Sequence, residues 1–235
     1  MVSLEVEVTK EFKQRDLELI ASENPKLKSL IIFSEDEDIC QLDFSLCFFP
    51  SLESLNIKGI NMPKFNFHQC DYPKLYLLEI ESILNEIEKI DFFLPRLLSL
   101  SLEHTNFQDG DAFFSCLSKC YSLNEFISYK SYFDLEDNAT SISLPRCTTF
   151  ELMRSDSIQA IRMYAPKAIN VSLHGCFDLI EFELLEEPFS GPAKIKQSKK
   201  RLDLNLTNTL IEPASEKLGK NFRRVRISKA TFDLE

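Results

Sequence analysis

The feature that most constrains this chain is a phrase it repeats: proline, any residue, then leucine-x-x-leucine-x-apolar. It stands as Pro25-Lys-Leu27-Lys-Ser-Leu30-Ile-Ile32, Pro50-Ser-Leu52-Glu-Ser-Leu55-Asn-Ile57, Pro73-Lys-Leu75-Tyr-Leu-Leu78-Glu-Ile80 and Pro95-Arg-Leu97-Leu-Ser-Leu100-Ser-Leu102. Degenerate copies follow at Leu123/Phe126/Ser128, Pro145/Cys147/Phe150/Leu152 and Pro166/Ala168/Val171/Leu173. The four clear prolines lie 25, 23 and 22 residues apart. A period of this size marks a solenoid, in which one repeat is one coil that buries its apolar face only when neighbours stack on it.

The last two apolar positions of each phrase are two apart, so they face one side of an extended strand and their neighbours face the other. Each coil therefore supplies one short strand, and successive strands line up as a parallel sheet. Leu30, Leu55, Leu78, Leu100, Phe126, Phe150 and Val171 are expected to form one core spine, and Ile32, Ile57, Ile80, Leu102, Leu152 and Leu173 the next. Proline just ahead of the strand forfeits no ladder hydrogen bond.

These residues resemble the leucine-rich repeat family, whose strand motif is L-x-x-L-x-L followed three residues later by a buried Asn or Cys. The resemblance covers most of residues 25 to 184. It departs at the buried polar position, which here holds Glu35, Ile60, Ile83, Thr105, Ser155 and Cys176. Only the last three mimic the usual side chain, which implies an irregular, divergent subtype. The stretch Gly110-Asp-Ala112-Phe113-Phe-Ser-Cys116 leading to Cys120-Tyr-Ser-Leu123 looks like variants found in adaptor and cell-surface repeat proteins. The resemblance implies an α/β solenoid of about nine coils, roughly 40 Å long. It would be a curved stack with its parallel sheet on the concave face and short helices or second strands on the convex face.

Leu84 to Ile90 and Ala112 to Lys119 have helical spacing, with Asp111 as the expected cap of the second. Elsewhere the return path alternates, at Leu42-Asp-Phe44, Phe65-Asn-Phe67, Ile142-Ser-Leu144, Ile161-Arg-Met163, Phe182-Glu-Leu184, Leu202 to Leu206 and Val225-Arg-Ile227. Ile161, Phe182, Leu204 and Val225 are 21, 22 and 21 residues apart. That spacing suggests a second strand per coil and a C-terminal third closer to a β-solenoid. In the second-strand ladder Arg162 would face Glu183 and Arg224 would face Asp203. The whole of 1–235 reads as a single solenoid, with clear repeats over 25–184 and degenerate coils at 1–24 and 185–235. Neither Leu4-Glu-Val6-Glu-Val8 nor Val225 to Leu234 is followed by a shielding cap, so the chain is expected to be a piece of a longer protein or to pair at its ends with further domains or another chain.

Composition narrows the classes. The 235 residues include 27 basic and 37 acidic side chains, with 44% apolar content, which fits a globular chain. Five glycines and no tryptophan leave no material for a glycine-rich phosphate loop. No apolar run approaches the roughly 20 residues that span a bilayer, and the N-terminus lacks the pattern of a secretory signal. The seven cysteines, Cys40, Cys47, Cys70, Cys116, Cys120, Cys147 and Cys176, have no paired spacing and are expected to be free thiols in an intracellular, cytoplasmic protein. Residues 192–235 hold 11 basic against 5 acidic side chains, so the charge of −10 is concentrated as −16 upstream.

Chemistry-bearing motifs are sparse. His68-Gln-Cys70-Asp71 and His174-Gly-Cys176 each fall short of the four closely spaced ligands of a zinc site, so no metal or cofactor is expected. Cys176-Phe-Asp178 resembles the catalytic triplet of some bacterial leucine-rich-repeat ubiquitin ligases, but Cys176 falls in the buried slot, where a thiol is inert. Glu79, Glu81 and Glu103 on adjacent strands suggest, as an alternative, an acid and base pair in a β-helix enzyme acting on polysaccharides. The basic segment Lys194 to Arg201 with Arg223, Arg224 and Arg226 suggests another, binding of nucleic acid or an anionic membrane surface. The preferred expectation is neither an enzyme nor a nucleic-acid binder. It is a protein-interaction module that recognises a basic and apolar protein surface through the strand residues alternating with the leucines: Asn56, Lys58, Leu77, Glu79, Glu81, Ser101, Glu103, Ile127, Tyr129, Glu151, Met153 and His174.

Overall fold

The structure is a computed structural model that describes residues 2–35, 41–81, 86–155, 157–176, 178–179, 181–185, 202–209 and 222–229. In chain order the first elements are β1 (Ser3–Glu7), α1 (Gln14–Glu23), β2 (Ser29–Phe33), β3 (Ser54–Lys58), β4 (Lys64–His68), β5 (Leu77–Glu81), β6 (Glu86–Ile87), β7 (Lys89–Phe93), β8 (Ser99–Glu103) and β9 (Asn106–Phe107). There follow α2 (Gly110–Leu117), β10 (Glu125–Tyr129), β11 (Tyr132–Phe133), β12 (Ala139–Ser143), β13 (Thr149–Met153), β14 (Ala160–Tyr164), β15 (Asn170–His174), β16 (Glu181–Leu185), β17 (Leu202–Thr209) and β18 (Phe222–Lys229).

Ten strands form one parallel sheet in the order β1-β2-β3-β5-β8-β10-β13-β15-β17-β18. At the usual strand spacing that is roughly 43 Å from first to last. The other strands make three short parallel ladders on the return path, β4-β7, β6-β9-β11 and β12-β14-β16. A chain that returns to the same sheet, one strand over, after each repeat has a parallel, β-solenoid-like arrangement.

The approach to seven of the long-sheet strands, β2, β3, β5, β8, β10, β13 and β15, is the same reverse turn. Leu27, Leu52, Leu75, Leu97, Leu123, Cys147 and Ala168 each donate a backbone N–H to the carbonyl three residues earlier. Proline suits the second position of such a turn because its ring presets φ. The leucine after it drops into the core, and the strand begins two residues later.

Register then builds the core. Leu30, Leu55, Leu78, Leu100, Phe126, Phe150 and Val171 are Cα partners in sequence and are fully buried. Ile32, Ile57, Ile80, Leu102, Leu152 and Leu173 form the second spine, no more than 2% exposed. Ser128 sits in this spine where the other coils place Ile or Leu. Between the long sheet and the return path lies an aromatic cluster. Phe65 has ring centroids of Phe92, Phe107 and Phe113 at 5.1, 5.6 and 6.0 Å, and Phe113 reaches Phe126 of β10 at 6.2 Å. Ring pairs of this kind add about 0.5–1.5 kcal/mol each beyond their buried area.

Four expectations are corrected. Leu84 to Ile90 does not form a helix over its described part: Glu86–Ile87 and Lys89–Phe93 are strands. Pairing of β7 with β4 seats Phe92 against Phe65, which a helix would not allow. Leu42-Asp-Phe44 is not a strand; Phe44–Leu46 is a 3-10 turn whose cap, Asp43, accepts from the Ser45 N–H at 3.0 Å. The helix over Ala112 to Lys119 exists as α2, but Asp109 caps it, accepting from the Ala112 N–H at 2.8 Å, while Asp111 accepts from the Glu136 N–H. Finally, Leu204 and Val225 belong to the long sheet, in register with Val171, and not to a second ladder behind Phe182. Asp203 and Arg224 are backbone register partners there, with side chains outside the described residues. In the return ladder Arg162 faces Glu183, with Nε 3.5 Å from the carboxylate. The helix α1, unanticipated, packs Leu17 and Ala21 into the core and pairs Gln14 with both backbone groups of Asp43 at 2.9 and 2.8 Å.

Candidate functional site

The outer face of the long sheet is three parallel rows of side chains. The third strand position runs Glu5, Ile31, Asn56, Glu79, Ser101, Ile127, Glu151, Ser172. The fifth runs Glu7, Phe33, Lys58, Glu81, Glu103, Tyr129, Met153, His174. Leu77 belongs to the first-position row, beside Ser54 and Ser99. All twelve residues singled out from sequence therefore lie on one surface, in register. Leu77, Ile127, Tyr129 and Met153 are half-buried and not fully exposed.

Polar contacts run across strands. Asn56 Nδ2 donates to Glu79 Oε2 at 2.5 Å, Asn170 Nδ2 to Glu151 Oε1 at 2.8 Å, and Ser99 Oγ to Glu125 Oε2 at 3.0 Å. Lys58 Nζ lies 3.7 Å from Glu81, and His104 Nδ1 lies 3.6 Å from Glu103. Glu81 and Glu103 are direct register partners, like charges side by side. Such a pair is unfavourable unless a cation adjoins it.

Five of the long-sheet strands, β3, β8, β10, β13 and β15, are followed by a turn with left-handed backbone at the same place. φ is 61° at Gly59, 51° at His104, 50° at Lys130, 57° at Arg154 and 66° at Gly175. The N–H of the first four bonds the carbonyl ending the next strand, with Gly59 to Glu81 at 2.8 Å, His104 to Tyr129 at 3.0 Å, Lys130 to Met153 at 2.8 Å and Arg154 to His174 at 2.7 Å. A non-glycine residue pays about 1–2 kcal/mol to stand there. Three of these turns nonetheless carry basic or imidazole side chains, and all three meet Tyr129. Lys130 Nζ is 5.1 Å and Arg154 Cζ 5.8 Å from the ring centroid, and the His104 ring is edge-on at 5.9 Å. Cations over a ring face favour its π-electron density and hold the ring in place.

Behind the turns the buried polar slot is filled by Thr105, Ser131, Ser155 and Cys176, each no more than 2% exposed. Thr105 Oγ1 donates to the Glu103 carbonyl and Ser131 Oγ to that of Tyr129. The Cys176 thiol faces the Leu152 carbonyl at 3.5 Å, inside the core. His174 is on the outer face, so the two residues of His174-Gly-Cys176 do not converge on a metal. His68 Nε2 instead faces Asp91 at 3.6 Å. Glu81, Glu103 and His104 do bring ligand atoms within 4.8 Å of one another. Their oxygen and nitrogen donors suit a divalent cation, although the Lys58 ammonium already serves the same Glu81 carboxylate.

The six described cysteines form no disulfide with one another. Burial pushes the thiols of Cys47, Cys120 and Cys147 up to about 12, which leaves them protonated and unreactive. The basic segment 194–201 lies outside the described residues, as do the side chains of Arg223, Arg224 and Arg226.

Reading from sequence missed two parts of this surface. Glu5, Ile31 and Phe33 extend the face by the same alternation and, with Ser34, Asn56, Lys58, Gly59 and Glu81, line a cavity of about 450 Å³. The turn residues His104, Lys130 and Arg154 carried no local signal, since nothing in those residue types marks a left-handed turn.

Fold and face together define a protein of parallel β-solenoid-like build with one long, mixed acidic and apolar strand surface. Comparison with protein-family models, curated proteins and solved structures finds no match. Among the described residues no helix is long and apolar enough to cross a membrane.

Proposed function

We propose that the protein is a non-catalytic recognition module, a divergent, curved leucine-rich-repeat solenoid that binds an extended segment of another protein across the outer face of its long sheet. One observation carries this reading: two apolar stations on the face bracket a band of carboxylates. Ile31 and Phe33 on β2 form the first, and Ile127, Tyr129 and Met153 on β10 and β13 the second. Between them stand Glu79, Glu81 and Glu103. From β2 to β10 is four strand steps, roughly 19 Å, which an extended chain covers in about six residues.

The partner that suits this layout has two apolar anchors about six residues apart with Lys or Arg between them. Tyr129, held by its cationic neighbours, offers a rigid aromatic surface of the kind that concentrates binding energy. Lys130 and Arg154 would favour an anchor followed by an acidic or neutral residue.

The test pans a displayed library of peptides of about 12 residues, long enough to reach both stations, against the native chain and against a Phe33→Ala, Glu103→Lys, Tyr129→Ala variant. The native chain should enrich peptides with paired apolar anchors and intervening basic residues, and the variant should lose them. Enrichment of the same peptides by both proteins refutes recognition on this face.

A further inference from the structure

The seven approach turns place one residue of each coil at the same outward position, the third of the turn. Those residues are Lys26, Ser51, Lys74, Arg96, Ser122, Arg146 and Lys167. Five are basic and none is acidic, in a chain whose acidic residues outnumber its basic ones 37 to 27. All five basic side chains are exposed. Among the described residues none of them is within ion-pair distance of a carboxylate; Arg96 Nη1 meets only the Pro73 carbonyl, at 3.3 Å. Among the described residues the result is a row of cations without ion-pair partners along the edge of the long sheet where its strands begin.

The next rim position runs Lys28, Glu53, Tyr76, Leu98, Asn124, Thr148 and Ile169, linked coil to coil by backbone hydrogen bonds of about 3 Å. On it, Tyr76, Leu98 and Ile169 are 42%, 47% and 63% exposed, and Tyr121 of the neighbouring turn is 54% exposed. Four of the large exposed apolar side chains thus share a rim with these five cations. A recess of about 370 Å³ opens there between Lys74, Arg96, Tyr76 and Leu98. The one carboxylate lining it, Glu53, is engaged by Lys28 Nζ at 2.8 Å.

We propose that this rim docks the solenoid edge-on onto an anionic lipid surface, independently of the recognition proposed for the outer face. Basic side chains at one repeated position of successive coils can meet the negative headgroups of a bilayer together, while Tyr, Leu and Ile beside them enter the interfacial layer. The recess between Lys74 and Arg96 accepts a lipid phosphate. A nucleic acid would also meet the cations, but Leu98 and Ile169 offer nothing on which a base can stack, whereas both gain from the interface. The carboxylates of the outer face are repelled by the same membrane, so the strand surface stays open to a partner.

The experiment measures sedimentation of the full chain with vesicles of phosphatidylcholine containing phosphatidylserine, against phosphatidylcholine alone. Binding should require the anionic lipid. Lys74→Glu with Arg96→Glu should lower the partition coefficient by roughly tenfold or more, since each basic residue near such a surface contributes about fivefold. Leu98→Ser with Ile169→Ser should weaken binding as well. The same charge change made elsewhere, by Arg15→Glu with Lys89→Glu, should have a much smaller effect, and circular dichroism should show all four proteins folded. No binding to anionic vesicles, or equal losses for the rim and control variants, overturns the proposal. Rim-dependent binding to a single-stranded oligonucleotide without binding to vesicles overturns it in favour of a nucleic acid.

Discussion

Gly59 and Gly175 occupy equivalent places in the column of left-handed turns, at φ 61° and 66°, yet their surroundings differ enough to separate backbone strain from steric clash. Replacing either with alanine imposes the left-handed penalty of about 1–2 kcal/mol, offset by about 0.4–1 kcal/mol of lost freedom in the unfolded chain. At Gly175 the new methyl group would meet Arg154 Cγ at 3.2 Å, the stem of a flexible, exposed side chain that can move. At Gly59 it would lie 2.4 Å from the Ser34 carbonyl oxygen. That backbone is pinned on both sides, because Ser34 N–H donates to Lys58 O at 3.0 Å and Gly59 N–H to Glu81 O at 2.8 Å. Relieving the clash means weakening one or both hydrogen bonds, each contributing about 1 kcal/mol. Gly175→Ala should therefore cost about 1 kcal/mol and Gly59→Ala about 2–4 kcal/mol. Urea unfolding at constant m-value reads the difference directly. If the two midpoints fall together, so that the costs agree within about 0.5 kcal/mol, the steric argument is wrong.

Two further outcomes follow from buried groups. Ser128 Oγ is fully buried without a hydrogen-bond partner, in a spine otherwise built of Ile and Leu, so Ser128→Ala should stabilise the fold by about 1 kcal/mol, and a lower urea midpoint would contradict this. Alkali should destabilise it: the thiols of Cys47, Cys120 and Cys147 ionise near 9.0 when unfolded and at about 12 when buried. Between those values the folded chain keeps protons that the unfolded chain releases, so stability falls as pH rises, by up to about 1.4 kcal/mol per thiol per pH unit. Replacing the three by alanine should flatten the decline in melting temperature over that window, and an unchanged slope would refute the assignment.

The turn-and-strand phrase was legible because its determinants are local. Proline presets the turn, the first leucine closes it, and alternation assigns every following residue to core or surface. The outer face was legible for the same reason. The return path was legible only where it alternates, since residues 65–67, 142–143, 161–163 and 182–184 are in strands as expected; elsewhere its conformation depends on pairing with a neighbouring coil. Leu84 to Ile90 has spacing compatible with a helix, and only the β4-β7 pairing, which brings Phe92 onto Phe65, selects strands. Leu204 lies 22 residues after Phe182, a spacing that fits the period, yet it pairs with Val171, 33 residues back. Period alone cannot choose between two parallel ladders. The cationic setting of Tyr129 was hidden because His104, Lys130 and Arg154 adopt a backbone shape their residue types disfavour, held there by hydrogen bonds from the adjacent coil.

The order of strands in the long sheet follows their order in the chain, so each coil is held only by the one before and the one after. This gives the molecule a mechanical direction. Tension applied between its two ends pulls along the stacking axis, parallel to the inter-coil hydrogen bonds, and loads them one rung at a time at whichever end yields first. A structure loaded in this way peels and does not snap. Each detached coil of 22 to 25 residues would release roughly 75 Å of slack chain. The coils that remain keep both their core and their share of the outer face, so a partner bound mid-stack can stay in place while the ends pay out under load.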